Sequence, residues 1–320
     1  MPELRHNPFL DTWTMVATNR QHRPDLPKTY CPFCPSDNPN LPAYEFMAYP
    51  NDFPALSVHP QPTNSSSKLL KSAPAYGVCE VILYSPEHHK VFYELSEEHI
   101  QRIIGLWQKR QIELAKDKKI KYIFPFENKG EEVGVTMSHP HGQLYAYSWI
   151  PSKLKTEYNQ CLTYFKKHRR NLFDDWLREE IKQEKRIVTT GKHFTAVIPY
   201  FTDYPFGLWI VANDNISSVA QLTEEASKEL AQVLKNITRA FDQIYDRPFP
   251  YMMCVHQQPV NSPRFKQSDD WYRLHIEFYP PLRGSSQIKW YAGSEMGAGA
   301  AANPLSVEDC AAVLRKKLTP

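Results

Sequence analysis

The sequence predicts an α+β fold: two tandem repeats joined in one largely antiparallel sheet, a half-barrel, with helices packed on it. Three observations carry that expectation. One order of apolar runs and a capped amphipathic helix occurs twice along the chain. Both helices show apolar residues at 3.6-residue spacing, the mark of a helix lying on a core. Composition is that of an ordinary globular chain, with 42% hydrophobic and 23% charged residues in 320. Strands set beside helices in this way, without glycine-rich phosphate loops, favour helices segregated on an antiparallel sheet.

The first copy opens with a strand at 79–84. A helix follows, with Ser96 as N-cap, Glu97 and Glu98 in its first turn, and an apolar stripe through Ile100, Ile103, Ile104, Trp107 and Leu114. Acidic residues suit the positive end of the helix dipole. Strands are expected at 121–126 and 144–150. The second copy repeats this with a strand at 206–211, N-cap Thr223 before Glu224 and Glu225, and a stripe through Leu230, Val233, Leu234, Ile237, Phe241 and Ile244. Strands at 251–256 and 275–279 complete it. Ser96 and Thr223 stand 127 positions apart. The seam, 153–186, is charged and reads as helical through Tyr158, Leu162 and Phe165 and again through Leu172 and Trp176. The chain therefore divides into residues 1–165 and a degenerate second repeat, 166–320. One of two readings of the Ala- and Gly-rich stretch at 294–304 is a linker into a helix capped by Ser306; the other is backbone contact with a ligand through Gly297 and Gly299.

Several function classes are disfavoured. A formal charge of +3 is too balanced for a protein that works on a nucleic-acid backbone. No stretch approaches the ~18 apolar residues of a membrane span. The start, MPELRHNPFLDTW, has no apolar signal region, so the expectation is a cytoplasmic protein with six reduced cysteines. The chain lacks G-x-G-x-x-G, G-x-x-x-x-G-K-[ST], G-x-S-x-G and H-E-x-x-H, which sets aside Rossmann, P-loop, serine-hydrolase and zincin chemistry.

Cys31 and Cys34 form Tyr-Cys-Pro-Phe-Cys-Pro, a C-x2-C turn stiffened by two prolines. The spacing points two thiolates at one ion; two unrelated thiols and a redox pair are the alternatives, the latter requiring a helix where this chain has a proline-rich loop. No second C-x2-C exists, so histidines must complete a metal site. The best placed are His88, His89, His139 and His141, although each alone is an ordinary core or surface histidine.

The second concentration of chemistry is Asn128-Lys-Gly-Glu-Glu-Val-Gly-Val-Thr-Met-Ser-His139-Pro-His141-Gly-Gln143. Alternation on a strand would place His139, His141 and Gln143 on one face. Gly130 and Gly134 would let backbone N–H groups approach phosphate oxygens. A neutral imidazole at His141 can attack phosphorus through one nitrogen while the other donates a hydrogen bond. An amide at Gln143 can bind phosphate without activating water, which favours transfer over hydrolysis.

At these strings the chain resembles the galactose-1-phosphate uridylyltransferase family, a branch of the histidine-triad superfamily. The match runs through Asn7–Trp13, Arg20-Gln-His-Arg-Pro, Cys31–Cys34, Asn51-Asp-Phe, Ser85-Pro-Glu-His88, 127–134, His139–Gln143, His275–Leu282 and Lys289-Trp290. The resemblance implies histidine-triad-like repeats and a homodimer with its active site shared across the interface. It implies that His141 takes a uridylyl group from UDP-glucose, releasing glucose 1-phosphate, and passes it to galactose 1-phosphate in a ping-pong sequence. Gln143, Asn128, Gly134, Val135 and Thr136 would hold phosphates, and Asn51 and Asp52 the uridine end. Arg20, Arg23, Lys289, Trp290, Ser294 and Glu295 would reach a site across the dimer. Cys31, Cys34, His88 and His139 would bind structural zinc. Glu157, His256, His275 and Glu277 would form a second site, for zinc or iron, with Glu277 where many relatives carry histidine. The alternative within the superfamily is a nucleotide phosphorylase or adenylyltransferase acting on ADP-sugars or dinucleoside polyphosphates.

Overall fold

Ser96 and Thr223 both start helices. In the computed structural model, which describes residues 2–22, 30–65 and 67–318, the Ser96 hydroxyl accepts from the His99 N–H at 3.1 Å at the head of α1 (Glu97–Leu114). Thr223 accepts from Ala226 N–H, also at 3.1 Å, at the head of α4 (Glu224–Asp242). The seam forms two helices, α2 (Ser152–His168) and α3 (Leu172–Gln183). They are separated because Asn171 turns its side chain onto Phe173 N–H, capping α3. The expected division at 165/166 falls in the last turn of α2. Ser306 caps α5 (Val307–Leu318). The Ala- and Gly-rich stretch read as a linker instead contains a π-helical turn at Gly293–Ala298.

Nine strands make one sheet in the order β3-β5-β7-β6-β11-β12-β10-β9-β8. They are β3 (Met47–Pro50), β5 (Gly77–Leu83), β6 (Tyr122–Lys129), β7 (His141–Tyr147), β8 (Ile187–Thr190), β9 (Phe194–Val197), β10 (Trp209–Ala212), β11 (Tyr251–His256) and β12 (His275–Tyr279). Every neighbouring pair is antiparallel. The repeats meet in the middle, where β6 pairs β11 with Phe126 opposite Cys254. Strands β3 and β9, not expected from the sequence, hold matching places beside β5 and β10, so β8 alone of the large sheet has no counterpart. A separate small sheet, β2-β1-β4, of β1 (Glu3–Asn7), β2 (Thr12–Val16) and β4 (Ser72–Pro74) also lies outside the repeat.

Alternation along β7 divides the core. Leu144 and Ala146 join Ile103, Trp107, Leu230 and Phe241 under α1 and α4. Tyr145 and Tyr147 face the other way, into an aromatic layer with Tyr158 of α2 and Tyr272. His141 and Gln143 share the parity of the tyrosines, so the reactive string lies on the α2 side of the sheet.

Candidate active site and metal centres

Strand β7 begins at His141 and not earlier, because Pro140 has no N–H to give the ladder. His139 therefore lies outside the strand. The expectation that His139, His141 and Gln143 share one face is corrected: His139 turns to the cysteines, and only His141 and Gln143 alternate together. The imidazole Nδ1 of His141 lies 2.7 Å from the His139 carbonyl. Only a protonated Nδ1 can make that bond, which leaves the lone pair on Nε2. Between the two polar residues, a Cβ on Gly142 would collide with the Tyr84 hydroxyl on the opposite face.

His141 lines three clefts. One, of about 60 Å³, adds Gln143, Asn51, Asp52, Phe53 and Phe33. A second, of about 280 Å³, adds Gln143, Arg20, Asn128, Gly134 and Val135. A third, of about 240 Å³, adds Asn128, Gly130, Lys90 and Ser138. A larger groove, about 490 Å³ beside Trp13, Trp149 and Phe265, contains none of the expected catalytic, substrate-binding or metal-binding residues. The phosphate-sized space with converging polar groups is thus at His141.

The turn at Cys31 closes with the Cys34 N–H on the Cys31 carbonyl at 3.1 Å. It brings one donor atom each of Cys31, Cys34, His88 and His139 within 4.8 Å of one another. Cys34 Sγ lies 3.1 Å from His88 Nδ1 and 3.5 Å from His139 Nδ1. The far nitrogens are held: His139 Nε2 donates to the Ser85 carbonyl at 2.8 Å, and His88 Nε2 meets the Ser138 hydroxyl at 3.0 Å. The His139 Nδ1 lone pair therefore faces the sulfurs, and the Ser138 hydroxyl can accept from His88 Nε2 to set the same tautomer there, as outer hydrogen bonds arrange in metal sites. Burial holds His139 down to about 4, so it is neutral. Burial and then the Cys31 thiol push the Cys34 thiol up to about 12. A bound cation would reverse that, since a coordinated thiol is deprotonated outright. The donor set fits a metal ion.

The second cluster, Glu157, His256, His275 and Glu277, also gathers within 4.8 Å. His256 Nδ1 lies 3.0 Å from Glu157 Oε2, and His275 Nε2 lies 3.3 Å from Glu277 Oε1. Glu277 is 1% exposed and His275 fully buried. A buried and a half-buried carboxylate facing two buried histidines also fit a divalent ion.

Other residues scatter more. Asn51 accepts from Phe53 N–H at 2.9 Å, and Asp52 from the Tyr49 hydroxyl at 3.3 Å, fixing the loop beside His141. Gly134 has φ +78°, which favours glycine. A Cβ on Gly130 would strike Pro250, so packing as well as ligand approach demands that glycine. Thr136 is half-buried, its hydroxyl enclosed and unpartnered, and it lines none of the three clefts. Arg20, expected to reach across a dimer, lines its own chain's cleft and donates to the Tyr145 hydroxyl at 3.1 Å. Arg23 lies outside the described residues. Lys289, Trp290, Ser294 and Glu295 line none of the three clefts. Lys289 is buried over the Tyr204 and Tyr291 rings, 3.8 Å from Glu295, while Trp290 is exposed.

Sequence reading missed three participants. Tyr44 places its hydroxyl 3.0 Å from His139 Nε2, and no local pattern marks it. Glu127 is buried beneath the site with the Tyr251 hydroxyl donating to it at 2.9 Å, and burial raises it to about 7. Its position inside an apolar strand was the available signal. Lys153 reaches the second cluster, and its spacing four residues before Glu157 on one helix face was the hint.

Models of this arrangement in known proteins match along almost the whole chain. The family model for the N-terminal domain of galactose-1-phosphate uridyl transferase matches residues 1–151, and that for its C-terminal domain matches 157–319. The chain belongs to the galactose-1-phosphate uridylyltransferase family. As a member it is an enzyme of the transferase class. The galactose-1-phosphate uridylyltransferase of Thermotoga maritima is 33% identical, over 99% of this chain and 98% of its own. A solved uridylyltransferase superposes with a TM-score of 0.88 at 28% identity, covering 99% of this chain and 98% of that one. An Arabidopsis thaliana ADP-glucose phosphorylase with bound ADP-glucose follows at 0.74 and 25%, with 99% of each chain covered. The α+β fold and its broad antiparallel sheet are those of the uridylyltransferase family.

Proposed function

We propose that the protein moves a uridylyl group from UDP-glucose to galactose 1-phosphate through a covalent bond to His141. The carrying observation is the Nδ1 bond to the His139 carbonyl, which fixes the imidazole with its lone pair on Nε2 in a side chain shared by three clefts. The Nε2 pair attacks the uridylyl phosphorus, forming P–N and breaking P–O. Glucose 1-phosphate leaves as a stable anion and needs no proton. A phosphate oxygen of galactose 1-phosphate then attacks, P–N breaks, and UDP-galactose leaves with the histidine restored. Gln143 and Asn128, with the backbone at Gly134 and Val135, bind phosphate oxygens; Asn51 and Asp52 bind the uridine.

Zinc at Cys31, Cys34, His88 and His139 is structural in this reading: four protein ligands leave no open position. It ties the N-terminal loop to the segment just before the nucleophile. The second centre, on Glu157, His256, His275 and Glu277, clips α2 to the second repeat. The enzyme works as a cytoplasmic homodimer, with Lys289, Trp290, Ser294 and Glu295 of one subunit completing the partner's site. That assignment is supported by their absence from the lining of the three His141 clefts of their own chain.

The test is incubation with UDP-glucose labelled in the uridylyl phosphate, an acid quench, and a search for acid-labile label on protein. Label on the natural chain and none on His141→Ala is the expected result. Label from ADP-glucose, with phosphate releasing ADP, would favour the phosphorylase reading suggested by the Arabidopsis likeness.

A further inference from the structure

The two oxygens of Glu277 keep different company. Oε1 faces the cluster, 3.3 Å from His275 Nε2 and 3.5 Å from His256 Nδ1. Oε2 accepts from Lys153 Nζ at 3.0 Å. Lys153 also hydrogen-bonds the Tyr279 hydroxyl and lies 4.6 Å from that ring's centre, so its ammonium has three fixed neighbours although the side chain is 64% exposed. His275 Nδ1 is tied to the Arg273 carbonyl at 3.0 Å, which leaves its Nε2 lone pair for the cluster. One oxygen of Glu157 accepts the Tyr272 hydroxyl, and the other lies 3.0 Å from His256.

We infer that Lys153 sets the metal preference of the second centre, by holding Glu277 monodentate so that four ligand atoms close around zinc and exclude ferrous iron. The inference rests on reading the four residues as a metal site. Zinc accepts two nitrogens and two oxygens in a tetrahedron and has no d-electron preference for more ligands. Ferrous iron in a histidine–carboxylate site keeps further positions open. A Glu277 free to rotate would supply a fifth ligand atom through Oε2. The lysine blocks this twice: it occupies the Oε2 lone pair, and its charge repels an ion drawn toward that oxygen. It also withdraws negative charge from the site, which weakens every divalent ion. Ferrous iron, the weaker binder of the two in the ordinary affinity order, falls below useful occupancy first. Lys153 touches no metal in this arrangement; it acts through Glu277 as a positioning residue.

The experiment supplies zinc and ferrous iron together, without oxygen, to cells making the natural chain, Lys153→Met and Lys153→Arg. Metals per chain are counted after purification without chelators. The second-site ion is then exchanged for cobalt and the visible spectrum recorded; cobalt there lacks the thiolate charge-transfer band that marks the cysteine site. Two zinc ions in the natural chain and an intense tetrahedral cobalt band are expected. Lys153→Met should move the zinc-to-iron ratio of one ion toward iron by roughly tenfold and weaken the cobalt band as a fifth ligand enters. Lys153→Arg, which can still donate to Oε2, should keep both readings. Lys153→Leu serves in place of Lys153→Met if thermal melting shows that variant unfolded. A natural ratio and spectrum in the neutral variant would overturn the role of Lys153 while leaving the metal site standing. A single ion per natural chain would overturn the site and the inference together.

Discussion

His141-Gly-Gln143 and His275-Ile-Glu277 occupy the same place in their repeats. Each opens a strand, β7 or β12, and each histidine sets Nδ1 against the carbonyl two residues earlier, at 2.7 and 3.0 Å. The flanks agree: Gln143 lies between Val81 and Phe126, and Glu277 between Trp209 and Cys254. Behind them, Tyr84 N–H bonds the Pro140 carbonyl at 3.1 Å and Ala212 N–H the Leu274 carbonyl at 3.0 Å. By register, then, His275 answers to His141 and Glu277 to Gln143. Core volume is exchanged across the pair: Tyr84 fills the space over Gly142, whereas the equivalent positions in the second half are Ala212 and Ile276, both in the core. A cation visits the tyrosine two residues further on in both halves, Arg20 at Tyr145 and Lys153 at Tyr279. The difference is charge. The first half puts a neutral amide beside its cation and leaves a cleft for an outside anion. The second half supplies the anion itself, as Glu277, and is closed.

That contrast can be broken in order of effect. His141→Ala should lower turnover by roughly 10⁴-fold or more with little change in Tm, while His275→Ala should lower Tm and metal content and still accept label. Loss of label in both would mean that the halves do not differ as described. Gln143→Glu makes the first half resemble the second; a carboxylate facing phosphate should slow transfer by about 10²–10³-fold, the scale of losing one preorganised donor. Unchanged steady-state rates would remove Gln143 from phosphate binding. Glu277→Gln is the reverse exchange. It should weaken second-site metal binding roughly 10- to 100-fold and leave turnover near normal at saturating metal, whereas Cys31→Ser should lower zinc content, Tm and activity together. Metal titration followed by melting separates the two.

The smallest effect is a pH slope. Glu127 sits where β11 has Val255, and burial raises it to about 7 from an ordinary 4.5. Between those values the folded chain holds a proton that the unfolded chain has lost. Stability from this group is therefore complete below pH 4.5 and declines as pH rises toward 7, by at most about 1.4 kcal/mol per pH unit. Denaturant melts of Glu127→Gln at pH 5 and pH 7 should show a flatter dependence than the natural chain.

The two helix starts were legible because capping is local: Ser96 and Thr223 announce themselves within four residues. The two clusters that could hold a metal ion were legible through family resemblance, and Cys31-x-x-Cys34 through its spacing. What escaped notice depends on contacts distant in sequence. Tyr44 meets His139 across 95 positions and Lys153 meets Glu277 across 124, and no periodicity spans such gaps. Strands β8 and β9 are only four residues each, too short for alternation to distinguish them from loop. The misplacement of His139 came from counting alternation through Pro140, which has no N–H to donate and before which β7 does not extend.

The join between β6 and β11 bears on the order in which the chain is made. Tyr122–Lys129 leaves the ribosome long before its partner, Tyr251–His256. At ~5–20 residues per second, the interval is roughly 6–25 s. For that time the nascent first repeat presents a bare inner edge of backbone donors and acceptors, the kind of template that recruits another chain. Nascent chains halted before residue 251 should therefore crosslink to holdase chaperones through β6, and chains halted well beyond residue 256 should not.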